Sequence, residues 1–195
     1  MYASKRIGCV IMAAGSAARY GENKLAAEFR GKAVIEYALD AAKIDLFDTV
    51  LVVTQYPEIE KLAKNRGYYA VRNEHPDWGI SHTIALGTTL LESHDAILFL
   101  VADQPLLTSR SVLRVVSAWL SHPEKICGAG CGGKRGNPNI FPAAYFEELK
   151  KLRGDCGGNA VIRCHEDAFF LVEIPQAELS DCDTPEALEA LKKEQ

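Results

Sequence analysis

Three places along this chain combine residue types that could act on a polyphosphate. The first is "CVIMAAGSAARYGENKL", residues 9–25, where an apolar run breaks into small residues and then meets Arg19, Gly21 and Lys24. Backbone N–H groups in such a stretch can close around oxyanions as a nest does, while Arg19 and Lys24 supply fixed positive charge. The second is "LFLVADQPLL", in which an apolar segment ends at Ala102 and delivers Asp103, and Pro105 stops a helix from continuing. A carboxylate there suits magnesium, a hard cation that takes oxygen ligands and joins protein carboxylates to phosphates. The third is "LSDCDTPEAL", where Asp181 and Asp183 stand just ahead of a helix start. Thr184 before Pro185 accounts for the helix cap, and two acids at one turn exceed what capping requires.

Each stretch also has a plainer reading. The first would be a solvated surface loop. Asp103 would cap the helix near Ser109, but it lies too far upstream to do so. Taken together, a basic, glycine-containing loop and separated acids suit attack on a nucleoside triphosphate. That reaction rests on positioning and charge neutralisation more than on covalent catalysis, which agrees with the lack of any nucleophile-and-base arrangement.

The elements that must position these residues follow from periodicity. Apolar runs of strand length alternate with helical stretches, the pattern of a mostly parallel sheet covered on both faces. Strands are expected at Ile7 to Met12, Thr49 to Thr54, Tyr69 to Val71, Ala96 to Val101, Ile126 to Ala129 and Phe169 to Ile174. Helices are expected at Ala33 to Lys43, Pro57 to Arg66, His82 to Leu91, Ser109 to Leu120, Ala143 to Leu152, Asn159 to His165 and Pro185 to Lys193. Ligands of such sheets bind beyond the carboxyl ends of the strands, where all three stretches fall.

Composition narrows the function classes. The 195 residues suit one domain spanning the whole chain, with no repeat or linker. A net charge of -4 and a pI near 5.8 argue against nucleic acid or an anionic membrane surface as partner. The longest apolar run, Ala96 to Ala102, falls far short of the ~20 residues of a bilayer-spanning helix. Lys5 and Arg6 ahead of "IGCVIMAAGSAA" imitate a short signal peptide, but the stretch is short, mixed with glycine, and its removal would discard the basic loop's start. The six cysteines form no C-x-x-C pair, so free thiols in a reducing cytoplasm are expected rather than a zinc cluster. "GAGCGGKR", Gly128 to Arg135, imitates a dinucleotide or P-loop signature. Arg135 stands where a P-loop needs a hydroxyl, and "GNPNIFP" follows where a helix should begin, so a glycine-rich connection is expected instead. Ser16 lacks the G-x-S-x-G context of a hydrolase nucleophile.

"IMAAGSAARYGENKL" resembles the signature L-A-A-G-x-S-x-R-x-G-x-x-K of the MobA-like nucleotidyltransferases, and most closely their molybdenum cofactor cytidylyltransferase branch. Further likenesses run in order along nearly the whole chain: "GISHTIALG" to G-x-S-x-S-x-x-x-G, "ADQP" to the same four residues, "GNP" to G-x-P, "GDCGG" to G-D-x-G and "DCDTPEAL" to D-x-D-T-P-E-D-L. The resemblance implies a Rossmann-like three-layer α/β/α fold with CTP in the first loop. Ala13, Ala14, Gly15 and Ser16, with Gly79, Ser81, Thr83 and Ala102, would bind the nucleotide. Arg19 and Lys24 would neutralise its phosphates; Asp103 would hold Mg2+ with Asp183 as second ligand. Gly136, Pro138 and Asp155 would meet the acceptor, the phosphate of molybdopterin, giving molybdopterin cytosine dinucleotide and pyrophosphate.

The implied partners are CTP, a molybdopterin-type cofactor and the recipient molybdoenzyme or its chaperone, in the cytoplasm. The guanylyl branch usually reads A-G-G where this chain has Ala13, Ala14 and Gly15, so the Ala14 methyl is expected to narrow the base pocket against a purine. Thr83 replaces a usual serine, Tyr20 a usual Met or Phe, and Ala187 the last acid of the final motif. His82 lies between Ser81 and Thr83, facing either the acceptor or solvent. Rival readings are GTP as donor, a sugar or alcohol phosphate as acceptor, and a chaperone that holds the finished cofactor without catalysis.

Overall fold

The computed structural model describes residues 5–15 and 23–193. In chain order its elements are β1 (Ile7–Ala13), β2 (Glu28–Phe29), β3 (Lys32–Ala33), α1 (Val34–Ala41), β4 (Thr49–Thr54), α2 (Pro57–Asn65), β5 (Tyr69–Arg72) and α3 (Ile80–Leu90). They continue with β6 (Ala96–Val101), α4 (Ser109–Ser121), β7 (Ile126–Cys131), β8 (Lys134–Pro142), α5 (Phe146–Lys151), α6 (Asn159–Cys164), β9 (Phe169–Glu173) and α7 (Pro185–Lys193). Seven strands form one sheet in the order β5-β4-β1-β6-β8-β7-β9, and β2 pairs with β3 in a small hairpin. All neighbours in the large sheet are parallel except those of β8, which runs antiparallel to β6 and β7.

The two-residue alternation of the strands divides the core into two layers. On β1, Cys9 and Ile11 face one side and Val10 the other. The first side packs Leu98, Leu100 and Trp119 with apolar residues of α1, α2, α4 and α7. The second packs Phe99 and Phe141 against α3, α5 and α6. This is the three-layer α/β/α sandwich around a mostly parallel sheet that the sequence leads one to expect. Side chains also fasten the bottom of the sheet. Asp48 accepts from the Ile7 N–H at 2.8 Å, and buried His94 joins the Leu91 carbonyl to the Thr49 hydroxyl at 3.0 and 3.1 Å.

The main difference from expectation is β8. "KRGNPNIFP", for which no strand is expected and whose first two residues fall in the expected glycine-rich connection Gly128 to Arg135, is a strand inside the sheet. Pro138 lacks an N–H, yet it lies where β8 pairs irregularly with β7, between the Gly130↔Arg135 and Gly128↔Asn139 pairs. Gly128 has no side chain because the Asn139 carboxamide fills that space: a Cβ there would lie 2.0 Å from its Oδ1. The expected helix at Ala143 begins as a 3-10 turn over Ala143–Tyr145 before α5. Thr184 caps α7 as expected, its hydroxyl accepting from the Ala187 N–H at 3.1 Å. The six cysteines are free; burial pushes the thiols of Cys127 and Cys182 up to about 12. Among the described residues, no helix is long and apolar enough to cross a membrane.

Candidate functional site

Where β1 and β6 end side by side, the chain opens into a cleft of about 280 Å³. Its walls come from the end of β1 (Met12, Ala14, Gly15), the turn after it (Lys24, Leu25), the entry to α3 (Gly79, Ile80, Thr83), the end of β6 (Val101, Ala102, Asp103) and Asp155.

Lys24 opens a 3-10 turn capped by Asn23, whose Oδ1 accepts from the Leu25 N–H at 3.1 Å. The Asn23 Nδ2 donates to Glu58 on α2 at 3.0 Å, which fixes the turn against the sheet's helical layer. The Lys24 ammonium then donates to Asp103 Oδ2 at 2.6 Å and to Asp183 Oδ1 at 2.8 Å. Lys24 and Asp103 are largely buried, whereas the Asp183 side chain is 56% exposed. Burial alone would lower the lysine's affinity for its proton, but Asp103 and then Asp183 outweigh it and hold the ammonium well above the usual lysine range.

The loop carrying Asp183 is fastened to the end of β6. The Cys182 N–H donates to the Asp103 carbonyl at 2.9 Å, and Gln104 Nε2 donates to Asp181 Oδ1 at 2.9 Å and the Leu179 carbonyl at 3.2 Å. Burial and the Asp103 charge raise the Asp181 carboxyl above its usual range, with Gln104 opposing. Asp181 is therefore a buttress on Gln104, and Asp183 the carboxylate that reaches the lysine.

Sequence-expected residues divide on this geometry. Ala14, Gly15, Lys24, Gly79, Thr83, Ala102, Asp103 and Asp155 line the cleft, and Asp183 joins it through Lys24. Ala13 is fully buried beneath, its carbonyl accepting from Thr54 Oγ1 at 3.1 Å. Ser81 is buried, donates to the Trp78 carbonyl at 3.5 Å and lines a neighbouring hollow with Trp78 and His82 instead. The Thr83 hydroxyl accepts from buried Asn73 at 3.1 Å. Gly136 and Pro138 lie on β8 outside the cleft lining, with Gly136 closed against Leu179. Ser16 and Arg19 lie outside the described residues.

Gly79 has a structural reason to be glycine. Its φ is +82°, and a Cβ would lie 2.4 Å from the Gly154 backbone. That contact brings the α3 entry against the segment bearing Asp155 and closes one wall.

Sequence reasoning missed the braces of the first loop. Gln55 Nε2 donates to the Ala14 carbonyl at 2.9 Å and the Tyr56 hydroxyl to the Gly15 carbonyl at 3.1 Å, both from the turn after β4. With these carbonyls held from behind, the small residues are fixed at the cleft wall. Nothing local to "TQYP" signals this; only the parallel register of β1 and β4 brings the two turns together.

The donor set fits a hard divalent cation. Two carboxylate oxygens already converge on one cationic nitrogen, and oxygen donors suit Mg2+ or Mn2+. Among the described residues no group of three or more His, Cys, Asp or Glu is arranged to hold a metal ion. A cation here would thus complete its shell with phosphate oxygens and water.

A family model described as MobA-like NTP transferase domain matches residues 9–169. The purine catabolism protein PucB of Bacillus subtilis (strain 168) is 27% identical over 197 residues, covering 94% of this chain and 95% of PucB. Among solved structures, Rv0371c from Mycobacterium tuberculosis H37Rv superposes with a TM-score of 0.82 at 19% identity, covering 98% of this chain and 99% of that one. The same protein solved as a complex with manganese gives 0.75 at 19% identity, over 97% and 100% of the two chains. The CMP:2-keto-3-deoxy-manno-octonic acid synthetase complexed with CTP gives 0.74 at 15% identity, over 96% and 97%. These structural likenesses establish the fold, while the matched span takes in the first loop, the lysine and the strand-end aspartate. On that match, the chain belongs to the MobA-like NTP transferase family.

Proposed function

We propose that this chain, acting as one nucleotidyltransferase domain, transfers CMP from CTP to the phosphate of a molybdopterin-type cofactor, forming molybdopterin cytosine dinucleotide and pyrophosphate. The observation that carries this reading is the convergence of Lys24, Asp103 and Asp183 at a cleft beyond the strand ends. Among the described residues, one ammonium faces two carboxylates, which leaves this corner negative. A triphosphate would be repelled there unless a cation accompanied it, which supports Mg2+ as cofactor.

Asp103 and Asp183 would hold the cation, and Lys24, together with Arg19, would bear on the phosphates. When bound, the cation would neutralise charge on the triphosphate and on the departing pyrophosphate. The backbone of Ala14 and Gly15, braced by Gln55 and Tyr56, would hold the nucleotide in place. An oxygen of the acceptor phosphate bonds to the α-phosphorus as the bond from that phosphorus to the pyrophosphate oxygen breaks, the electron pair leaving with pyrophosphate. A phosphate monoester, with a second pKa of about 6, is already ionised near neutrality and needs no general base. Gly136, Pro138 and Asp155 are the proposed acceptor contacts. The free cysteines support a reducing, cytoplasmic setting for this reaction.

A matrix of nucleoside triphosphates against acceptors, with Mg2+ and read by pyrophosphate release, tests this reading. Release with CTP and molybdopterin above all other pairs is expected. Release only with a sugar or alcohol phosphate would replace the acceptor, release with GTP would replace the donor, and none with any triphosphate would favour the non-catalytic chaperone.

A further inference from the structure

β9 stands last in the order of the large sheet, and among the described residues no strand pairs with its outer side. Its pairing with β7 runs from Phe169 to Glu173 without a register shift. The Ile174 N–H donates inward to the Gly130 carbonyl at 2.9 Å. Backbone groups alternate in direction along a strand, so those of Phe170 and Val172 also face β7, while those of Phe169, Leu171 and Glu173 face away from the sheet. The Phe169 N–H turns back to the Glu166 carbonyl. The Phe169 carbonyl and both backbone groups of Leu171 and Glu173 have no hydrogen-bond partner among the described residues.

Open edges are commonly blunted by proline, lysine or a bulge. β9 reads "FFLVE" and carries none of these. Phe170, whose ring lies 5.0 Å from that of His122, is still 41% exposed. On the other face of the strand, the Arg135 guanidinium stands 5.7 Å from the centre of the Phe169 ring and bonds Glu166 at 3.3 Å through one of its nitrogens. A guanidinium has five donors, so it can take a second carboxylate. Glu173 is exposed, and one of its oxygens accepts from the Gly132 N–H at 3.1 Å, which leaves the other for a cation.

We propose that β9 pairs antiparallel with β9 of a second copy of this chain, about a two-fold axis at Leu171, so that two sheets join into one. A two-fold interface sets the same patch against itself, and this strand is complementary to its own reverse. Leu171 meets Leu171 of the second copy and exchanges both N–H···O=C bonds with it, while the Glu173 N–H donates to the Phe169 carbonyl opposite. These bonds use only groups left open in the single chain. The same register sets Glu173 opposite Phe169, the ring that carries Arg135, so each carboxylate meets a guanidinium of the other copy. On the α4 face it sets Phe170 opposite Val172, which covers the exposed ring. β9 runs in the same direction as β6, so antiparallel pairing turns the two clefts to opposite edges of the joint sheet and covers neither.

Sedimentation of the full chain over a concentration series, with amide hydrogen exchange resolved to single residues, tests this pairing. A dimer that dissociates on dilution is expected. The Leu171 and Glu173 amides should exchange more slowly as the dimer forms, while the inward Val172 amide is unchanged. Leu171→Lys places like charges against each other at the axis, and Glu173→Arg turns attraction to Arg135 into repulsion. Each should raise the dimer dissociation constant by about tenfold or more. Arg135→Glu combined with Glu173→Arg restores opposite charges and should recover most of that loss.

A chain that stays monomeric at every concentration would overturn the proposal and leave the edge to a strand of a different protein. A dimer indifferent to both single variants, or one in which the Leu171 and Glu173 amides gain no protection, would overturn it too, since the contact would then lie on another face. A double variant no better than Glu173→Arg alone would also count against the register. Should Leu171→Lys lose its fold by circular dichroism, the exposed Glu173 and its charge swap decide the outcome.

Discussion

Lys24 and Asp103 are 79 residues apart in the chain, yet the lysine's Nζ lies 2.6 Å from the aspartate's Oδ2. The same nitrogen reaches Asp183, 159 residues away, at 2.8 Å. Three segments are thereby drawn to one point at the carboxyl edge of the sheet, where ligands of such folds gather. On the proposed reading the lysine occupies the position between two carboxylates that a divalent cation would claim, so the two cations would compete for the same oxygens.

That competition gives one substitution two effects of opposite sign. Lys24→Gln should raise the affinity of the nucleotide-free protein for Mn2+ several-fold, because the competing ammonium is gone. It should also lower kcat/KM for CTP by about 10²–10³, the scale of losing a charged partner to a transferring group. Calorimetry reads the first and pyrophosphate release the second. Weaker Mn2+ binding by the variant would mean that the lysine assembles the carboxylates rather than competing for them.

On the proposed reading, donor choice rests on a single methyl. Ala14 is 3% exposed and lines the cleft with its carbonyl held by Gln55. Ala14→Gly should shift the ratio of kcat/KM for CTP over GTP toward GTP by about tenfold, the low end of what one methyl-sized contact discriminates. An unchanged ratio would remove Ala14 from the account of base selection.

Away from the cleft, Asp40 on α1 accepts from Lys32 at 2.9 Å and pairs with Arg66, which also bonds Glu36 at 2.9 Å. Burial would raise the Asp40 carboxyl, but Lys32 and Arg66 outweigh it and hold it below the usual carboxylate range. A depressed carboxylate stabilises the fold above its unfolded pKa, and that contribution is lost as pH falls through the folded value. Asp40→Asn should therefore cost up to about 1 kcal/mol at pH 7 after solvent screening. The difference from wild type should close toward zero by about pH 2. Urea unfolding at both pH values checks this, and a deficit independent of pH would assign the loss to packing.

The sequence was most legible where an apolar run of strand length is unbroken. β1, β4 and β6 are near-continuous apolar runs, largely buried on both faces, and their limits agree with expectation to within a residue. β8 was not legible, because Gly136, Asn137 and Pro138 are residues that strands usually avoid. It is a strand because only its apolar second half, Asn139 to Pro142, pairs with β6, while the proline sits in an irregular stretch against β7.

At the site, Lys24 and Asp103 could be named from residue type and position alone, whereas the choice of Asp183 over Asp181 came from the family resemblance. Gln55, Tyr56 and the Gly79–Gly154 contact could not, since each acts on a segment distant in sequence through geometry that the sheet register creates. Ser81 shows the converse. It falls at the expected place on α3, but the helix turns it away from the cleft toward Trp78.

The most direct test is pyrophosphate release from CTP with Mg2+ and molybdopterin, compared between the wild type and Asp103→Asn, which keeps the side chain's size and removes its charge. The variant is expected to lose at least about 10³-fold in rate while remaining folded, since a charge essential to holding the reacting phosphates is gone. A rate within twofold of wild type would contradict the assignment of catalysis to the corner shared by Lys24, Asp103 and Asp183.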